Sequence, residues 1–344
     1  MIRSLSLILF FLGLIHHSFA QSHQKRKVLF LGNSYTYVNN LPQLIKDIAL
    51  ANGDTLVFDS NCPGGHTFNN HFNNATSLAK INAQAWDCVI LQAQSQEPSF
   101  SPGQVAAQTL PYAIKLDSLI KNNNACTETV FFETWGRKNG DASNCGSYAP
   151  VCTYLGMQDR LRASYKLFAD TTQAIMAPAG EAWRKSIAQN PTLELYSSDQ
   201  SHPSLEGSYL TACVFYETLF HKSVLSNTYT AGVSSINVSF LQQIAHDVVN
   251  DSLMTWNIGK YNPCGVTGIK TISSDKIITL FPNPAQHVLH TNTNAPYKIY
   301  DVLGKLCLSG DKSDVINVES LKSGVYFIEL SSFDSTKKIR FVKE

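Results

Sequence analysis

The tightest constraint on the fold is an alternation that runs from residue 27 to about residue 221, in which short apolar runs are separated by longer stretches with apolar residues every three to four positions. A short run without polar alternation reads as a strand buried on both faces, whereas the three-to-four spacing gathers apolar side chains on one stripe of a helix. The runs fall at 28–31, 55–59, 88–92, 129–133 and 174–177. Helical spacing is present at 41–51, where Pro42 suits a first turn, and at 106–121, 158–172, 205–220 and 238–249. Strand and helix in alternation predict a parallel sheet with crossover helices. The domain is then a three-layer α/β/α fold over 27–256, whose ligands bind at the carboxyl ends of the strands.

The pattern changes after Trp256. Residues 257–276 are rich in Gly, Pro, Asn, Thr and Ser and have little periodicity, as a linker does. Beyond them, β-rich runs at 277–281, 297–300, 315–318, 325–330 and 338–342 are separated by Gly, Asn, Asp and Ser. They predict a small all-β sandwich over 277–344. A length of 344 residues accommodates one large domain and one small one.

Residues 1–20 read as an export signal: Arg3 supplies the positive region, residues 5–15 the apolar stretch, and Ser18-Phe19-Ala20 a cleavage site. The apolar stretch is shorter than the roughly 20 residues that span a bilayer, and no later segment is long and apolar enough, so the mature chain is expected to carry no stable membrane span. Lys and Arg number 27 against 26 Asp and Glu, without dense runs, which argues against nucleic acid as a partner. Export makes disulfides available to the eight cysteines. Cys145 and Cys152 flank a Gly/Asn/Ser-rich stretch where a short staple offsets loop entropy, and this pair is the expected disulfide. With no Cys or His partners nearby they make a poor zinc set, so no metal is expected. Cys88 and Cys213 lie in apolar patterns and read as buried thiols.

Two motifs carry chemistry. In Val28-Leu29-Phe30-Leu31-Gly32-Asn33-Ser34, an apolar strand runs into a glycine turn and presents a hydroxyl at the strand's end. The Ser34 N–H there, at the start of a loop leading to a helix, is suited to an oxyanion. In Ser198-Asp199-Gln200-Ser201-His202, one loop delivers both an imidazole and a carboxylate. A serine hydroxyl needs such a base, and the base needs a partner that fixes its tautomer.

On these residues the segment 27–222 resembles the SGNH, or GDSL-type, hydrolases, with Gly-Asn-Ser in place of Gly-Asp-Ser. The resemblance implies a flavodoxin-like α/β/α fold, Ser34 as nucleophile, and Asp199 and His202 completing a triad. It also implies an oxyanion hole built from the N–H groups of Ser34 and Gly65, the latter within Pro63-Gly64-Gly65-His66-Thr67. The family's Gly-x-Asn-Asp is absent after the third strand, where Gln92-Ala93-Gln94-Ser95 stands instead. A carboxamide from Gln92, or failing that Gln94, is the expected side-chain donor, because strand alternation points both the same way. Trp135, after the fourth strand, is a candidate aromatic surface for a sugar ring.

In the second domain, Leu280-Phe281-Pro282-Asn283-Pro284-Ala285, Ile299-Tyr300-Asp301-Val302-Leu303-Gly304-Lys305, Ser323-Gly324-Val325-Tyr326-Phe327 and the closing Lys337-Lys338-Ile339-Arg340-Phe341-Val342-Lys343 resemble the type IX secretion sorting domain of Bacteroidetes. That resemblance implies the type IX machinery as a partner and a secreted or surface location reached through the periplasm. The combined expectation is a cofactor-free serine esterase acting on a small ester or an acetylated glycan. The alternatives are a lipase or arylesterase of the same family, and a surface protein that binds glycans on an esterase-like scaffold without turnover.

Overall fold

The structure, a computed structural model, describes residues 23–261, 264, 280–301, 304–331 and 336–344. The export signal at 1–20 and most of the linker at 257–276 lie outside the described residues. The chain divides into two compact units at about residue 265.

In the first unit, β1 (Lys25–Leu31) is followed by α1 (Ser34–Tyr37), α2 (Leu41–Ala51), β2 (Thr55–Asn61), α3 (Phe68–Phe72), α4 (Ala75–Asn82) and β3 (Cys88–Leu91). The chain continues through α5 (Pro102–Gln104), α6 (Leu110–Asn123), β4 (Glu128–Phe132), α7 (Ala142–Cys145), α8 (Tyr154–Thr172), β5 (Ile175–Ala177), α9 (Ala179–Gln189), α10 (Leu205–Phe220) and α11 (Ser235–Asn250). The sheet order is β2-β1-β3-β4-β5 with every pair parallel. All four residues of β3 are buried, because helices cover both faces, which is why this strand reads as an unbroken apolar run.

Topology fixes where a site can form. The chain leaves β1 for the outer strand β2 and then crosses back to lay β3 on the other side of β1. Loops on the two sides of β1 therefore diverge, leaving a crevice at its carboxyl end. The register pairs Leu31 with both Asn61 and Leu91, so the loops after β1, β2 and β3 begin at one level.

Some elements differ from the expected ones. The helix expected at 106–121 begins earlier, with a capping box at Ser101 and Gln104. A wider π-type turn at Val105–Thr109 then precedes α6, whose Pro111 has no N–H to give. The helix α9 went unpredicted because it packs through small residues (Ala179, Gly180, Ala182, Ser186) and Trp183 rather than an aliphatic stripe. By contrast, α10 is buried from Gly207 through Phe220 on every face, as a central helix is. A side chain at Gly207 would meet the Leu195 carbonyl oxygen at 2.3 Å, so only glycine permits this approach.

Disulfides join Cys145 to Cys152 and Cys126 to Cys264. The second closes 138 residues of chain and ties the last described residue of the first unit to the turn before β4.

The second unit is all-β and antiparallel: β6 (Leu280–Phe281), β7 (Val288–Asp301), β8 (Leu306–Asn317), β9 (Gly324–Ser331) and β10 (Thr336–Lys343). β8 runs along one edge of the long β7, while β6 and β9 share the other. Its own core gathers Ala285, Leu289, Ile299, Ile316, Ile328 and Phe341.

Candidate active site

β1 ends in the turn Gly32-Asn33-Ser34. A side chain at position 32 would lie 2.5 Å from Thr36 Oγ1 and 2.8 Å from Gln92 Oε1, so the turn needs glycine for close approach. Asn33 is buried and uses both ends of its amide. Its Oδ1 accepts from Tyr35 N at 3.2 Å and from Gln92 Nε2 at 2.8 Å. Its Nδ2 donates to the carbonyls of His66 at 3.0 Å and Ala93 at 3.1 Å. One side chain thereby fastens the loops after β2 and β3 to the turn that presents Ser34.

The loop after α9 brings His202 to the same place. His202 Nε2 lies 2.8 Å from Ser34 Oγ, and Nδ1 makes a short contact with Asp199 Oδ2. Asp199 Oδ1 accepts from His202 N at 2.9 Å, Ser201 N at 3.0 Å and Ser197 Oγ at 2.9 Å. Desolvation works against the charged form of Asp199, but these bonds outweigh it and hold the carboxyl well below the usual range. The loop is closed at its base by Ser197 N donating to His202 O at 2.8 Å. Ser34, far in the sequence from Asp199 and His202, thus joins them in one hydrogen-bonded chain.

Beneath it stands an aromatic column. Tyr35 stacks on Trp135 at 4.8 Å between centroids, and Trp135 stacks on Trp183 at 3.8 Å. Trp135 Nε1 donates to Ser201 O at 3.0 Å, and the Tyr35 hydroxyl meets Ser201 Oγ at 2.6 Å. Trp135 is fully buried, which overturns its reading as a substrate surface: both ring faces are already covered, and the indole supports the His202 loop from below. An exposed aromatic at this end of the sheet is Tyr37, 54% exposed, three residues beyond Ser34 on one helical turn. Its hydroxyl comes to 3.9 Å from where a side chain at Gly64 would sit. The i, i+3 spacing from Ser34 was a signal for it that sequence reasoning passed over.

Gly65 has a φ of +69° in an exposed turn, next to the His66 carbonyl that Asn33 holds. Gln92 is a correction. Both hydrogens of its Nε2 are spent, on Asn33 Oδ1 and on Ala93 O at 2.5 Å, and its Oε1 accepts from Asn33 N and Thr36 Oγ1, each at 2.9 Å. A carboxamide so committed has no N–H for an oxyanion. Gln94 differs: its Oε1 is anchored by the N–H groups of Gln96 at 2.7 Å and Glu97 at 3.1 Å, and its Nε2 meets Gln96 Oε1 at 3.1 Å. Among the described residues, that leaves one of its hydrogens uncommitted.

A residue that sequence reasoning left unassigned supports the turn from the other side. Buried His71 places Nε2 at 2.9 Å from Gly32 O and Nδ1 at 2.8 Å from Ser77 Oγ, which also accepts from Asn61 Nδ2 at 2.8 Å. A carbonyl can only accept, so Nε2 carries the proton and Nδ1 receives one from Ser77. Burial lowers the His71 pKa to about 4, so the ring is neutral at ordinary pH.

Comparison with known proteins bears differently on the two units. The family model described as the secretion system C-terminal sorting domain matches residues 279–344. The second unit is a secretion sorting domain. The sorting domain indicates type IX export to the cell surface or the extracellular space. No helix among the described residues is long and apolar enough to cross a membrane. Apart from the sorting domain, the chain is similar in structure to a DUF4886 family protein from Bacteroides uniformis, with 19% identity, a TM-score of 0.56, and coverage of 65% of this chain and 95% of that one. This likeness shows a shared fold. The chain is also similar to a candidate SGNH hydrolase from Slackia heliotrinireducens, with 25% identity, a TM-score of 0.47, and coverage of 56% of this chain and 98% of that one. A candidate GDSL-like lipase from Parabacteroides merdae matches with 16% identity, a TM-score of 0.43, and coverage of 58% of this chain and 98% of that one. No curated protein matches the chain in sequence.

Proposed function

We propose that the chain is an exported serine esterase that hydrolyses carboxylic esters, foremost O-acetyl groups on carbohydrates, through an acyl-enzyme. The observation that carries this reading is the hydrogen-bonded chain from Ser34 Oγ through the His202 ring to Asp199. His202 Nε2 takes the Ser34 proton as Oγ attacks the ester carbon. The ionised Asp199 holds the other ring nitrogen and favours the imidazolium. The tetrahedral oxyanion is met by the N–H groups of Ser34 and Gly65, with the remaining Gln94 hydrogen as the side-chain donor. His202 then protonates the departing alcohol oxygen, and water repeats the attack on the acyl carbon with His202 as base. The exposed ring of Tyr37 beside Ser34 supports a sugar as the alcohol, since an aromatic face suits the apolar face of a pyranose.

A fluorophosphonate probe tests the reading, because only an activated serine reacts. Wild type should label and release acetate from acetylated polysaccharides, and Ser34→Ala should abolish labelling and lower turnover by a factor on the order of 10⁴ or more. Labelling that survives Ser34→Ala would overturn the assignment. One observation favours a second reading, a glycan-binding protein without turnover: the committed amide of Gln92 removes one expected oxyanion donor. Absence of labelling in the wild type, with retained glycan binding, is its signature.

A further inference from the structure

The loop after β4 is tied to both the His202 loop and the loop after β3. It is held against the His202 loop by Lys138 N donating to Gln200 O at 3.0 Å and by the Trp135 indole on Ser201 O. It is held against the loop after β3 by Gln96 Nε2 donating to Asp141 Oδ2 at 2.7 Å. Arg137 lies in this loop with its side chain 28% exposed.

The arginine is poorly provided for. Its nearest anion is the buried carboxylate of Asp141, at 3.5 Å from Nη1. Arg137 Nη1 shares Oδ1 of that carboxylate over this long bond with Ser143 N at 3.2 Å, while Oδ2 takes Gln96 Nε2 and Asn144 Nδ2 at 2.6 Å. The Arg137 Nε is buried and has no hydrogen-bond partner. A guanidinium has five N–H groups, and a buried one left unpaired costs free energy. The Arg137 charge acts on Tyr35, whose ring lies 5.4 Å from that of His202, and the two terminal nitrogens of the part-exposed side chain carry four N–H groups, of which one is given to Asp141; the others are open to an anion arriving from solvent. The planar fork of the guanidinium matches a carboxylate two bonds at a time.

We propose that Arg137 is a carboxylate-binding residue of this cleft, and that the preferred substrate is an acyl ester carried on an acidic, uronate-bearing glycan. This rests on the esterase reading for turnover, but its binding half stands apart from it. The substrate lies with a sugar ring toward Tyr37, the ester at Ser34 and a uronate carboxylate toward Arg137.

The test compares the full chain with Arg137→Gln and Arg137→Lys on O-acetylated polygalacturonate, on the same polymer with its carboxyl groups methylated, and on an acetylated sulfated polymer. Wild type should favour the free-carboxylate polymer over the methylated one by at least tenfold in kcat/KM. Arg137→Gln should bring that ratio close to one, and Arg137→Lys should retain part of it. A merely structural role lowers both rates together and leaves the ratio in place, which overturns the proposal, as does a preference for the sulfated polymer. Binding of oligogalacturonate is measured in parallel on Ser34→Ala, which keeps the cleft and lacks the nucleophile. Adding Arg137→Gln should weaken that binding at least tenfold at low salt, and unchanged binding overturns the proposal even where ester hydrolysis is observed. Loss of fluorophosphonate labelling in the wild type counts against the esterase reading alone.

Discussion

Asn33 fills a role that an aspartate could not. Its amide gives hydrogens to the His66 and Ala93 carbonyls and takes them from Tyr35 N and Gln92 Nε2. A carboxylate there would face two carbonyl oxygens inside the protein with nothing to donate. Asn33→Asp should therefore cost on the order of 2 kcal/mol or more in urea denaturation and lower kcat/KM along with it. An unchanged midpoint would show that the two loops do not depend on this side chain. At this scale the sequence disclosed which three residues meet in the hydrogen-bonded chain. Ser34 stood at the end of a strand, and Asp199 and His202 in one loop, in recognisable company. Gln92 and Trp135 were misread for one shared reason: position at or just beyond a strand's end does not give the depth of a side chain or its partners. What turns Trp135 inward is Trp183 on a later helix, and what occupies Gln92 is Asn33 in the turn after another strand, and neither partner is visible in the local pattern.

Among the elements, the short helices α3 and α4 escaped sequence reading because their polar caps and few apolar residues carry little period. They nevertheless supply His71 and Ser77, which anchor the Gly32 carbonyl. Burial holds the His71 pKa at about 4, below the ordinary 6.5 that it regains on unfolding. Between those values the unfolded chain binds a proton that the folded chain refuses, so stability from this group is present above pH 6.5 and drains away as pH falls toward 4. The loss amounts to roughly 3 kcal/mol. Glu133 runs the other way, since burial raises its pKa, and it must be subtracted. The difference in urea midpoint between pH 7 and about pH 4.5 should accordingly be larger in wild type than in His71→Gln. Equal differences would mean that His71 does not govern this window. The long elements were the legible ones, because burying a stripe of a helix or both faces of a strand leaves its period in the sequence. The small-residue helix α9 and the π-type turn before α6 leave no such period.

For the molecule as a whole, the division into an α/β/α unit and an all-β unit was readable from the point where helical spacing vanishes. Long-range pairings such as Cys126 with Cys264 were not, since cysteine positions alone do not specify partners. The sorting domain bears on export. Removing 277–344 should leave a chain that is active on esters and retained in the periplasm, as fractionation followed by immunoblotting and an activity assay would reveal. Normal export of the truncated chain would contradict this. The four tryptophans, Trp86, Trp135, Trp183 and Trp256, are all buried in the first unit, and the sorting domain has none. Indole emission is consequently a private signal of the first unit's folding, blind to melting in the second. Two of those indoles lie face to face at 3.8 Å, an excitonic pair whose near-ultraviolet circular dichroism reports from the wall on which the His202 loop rests.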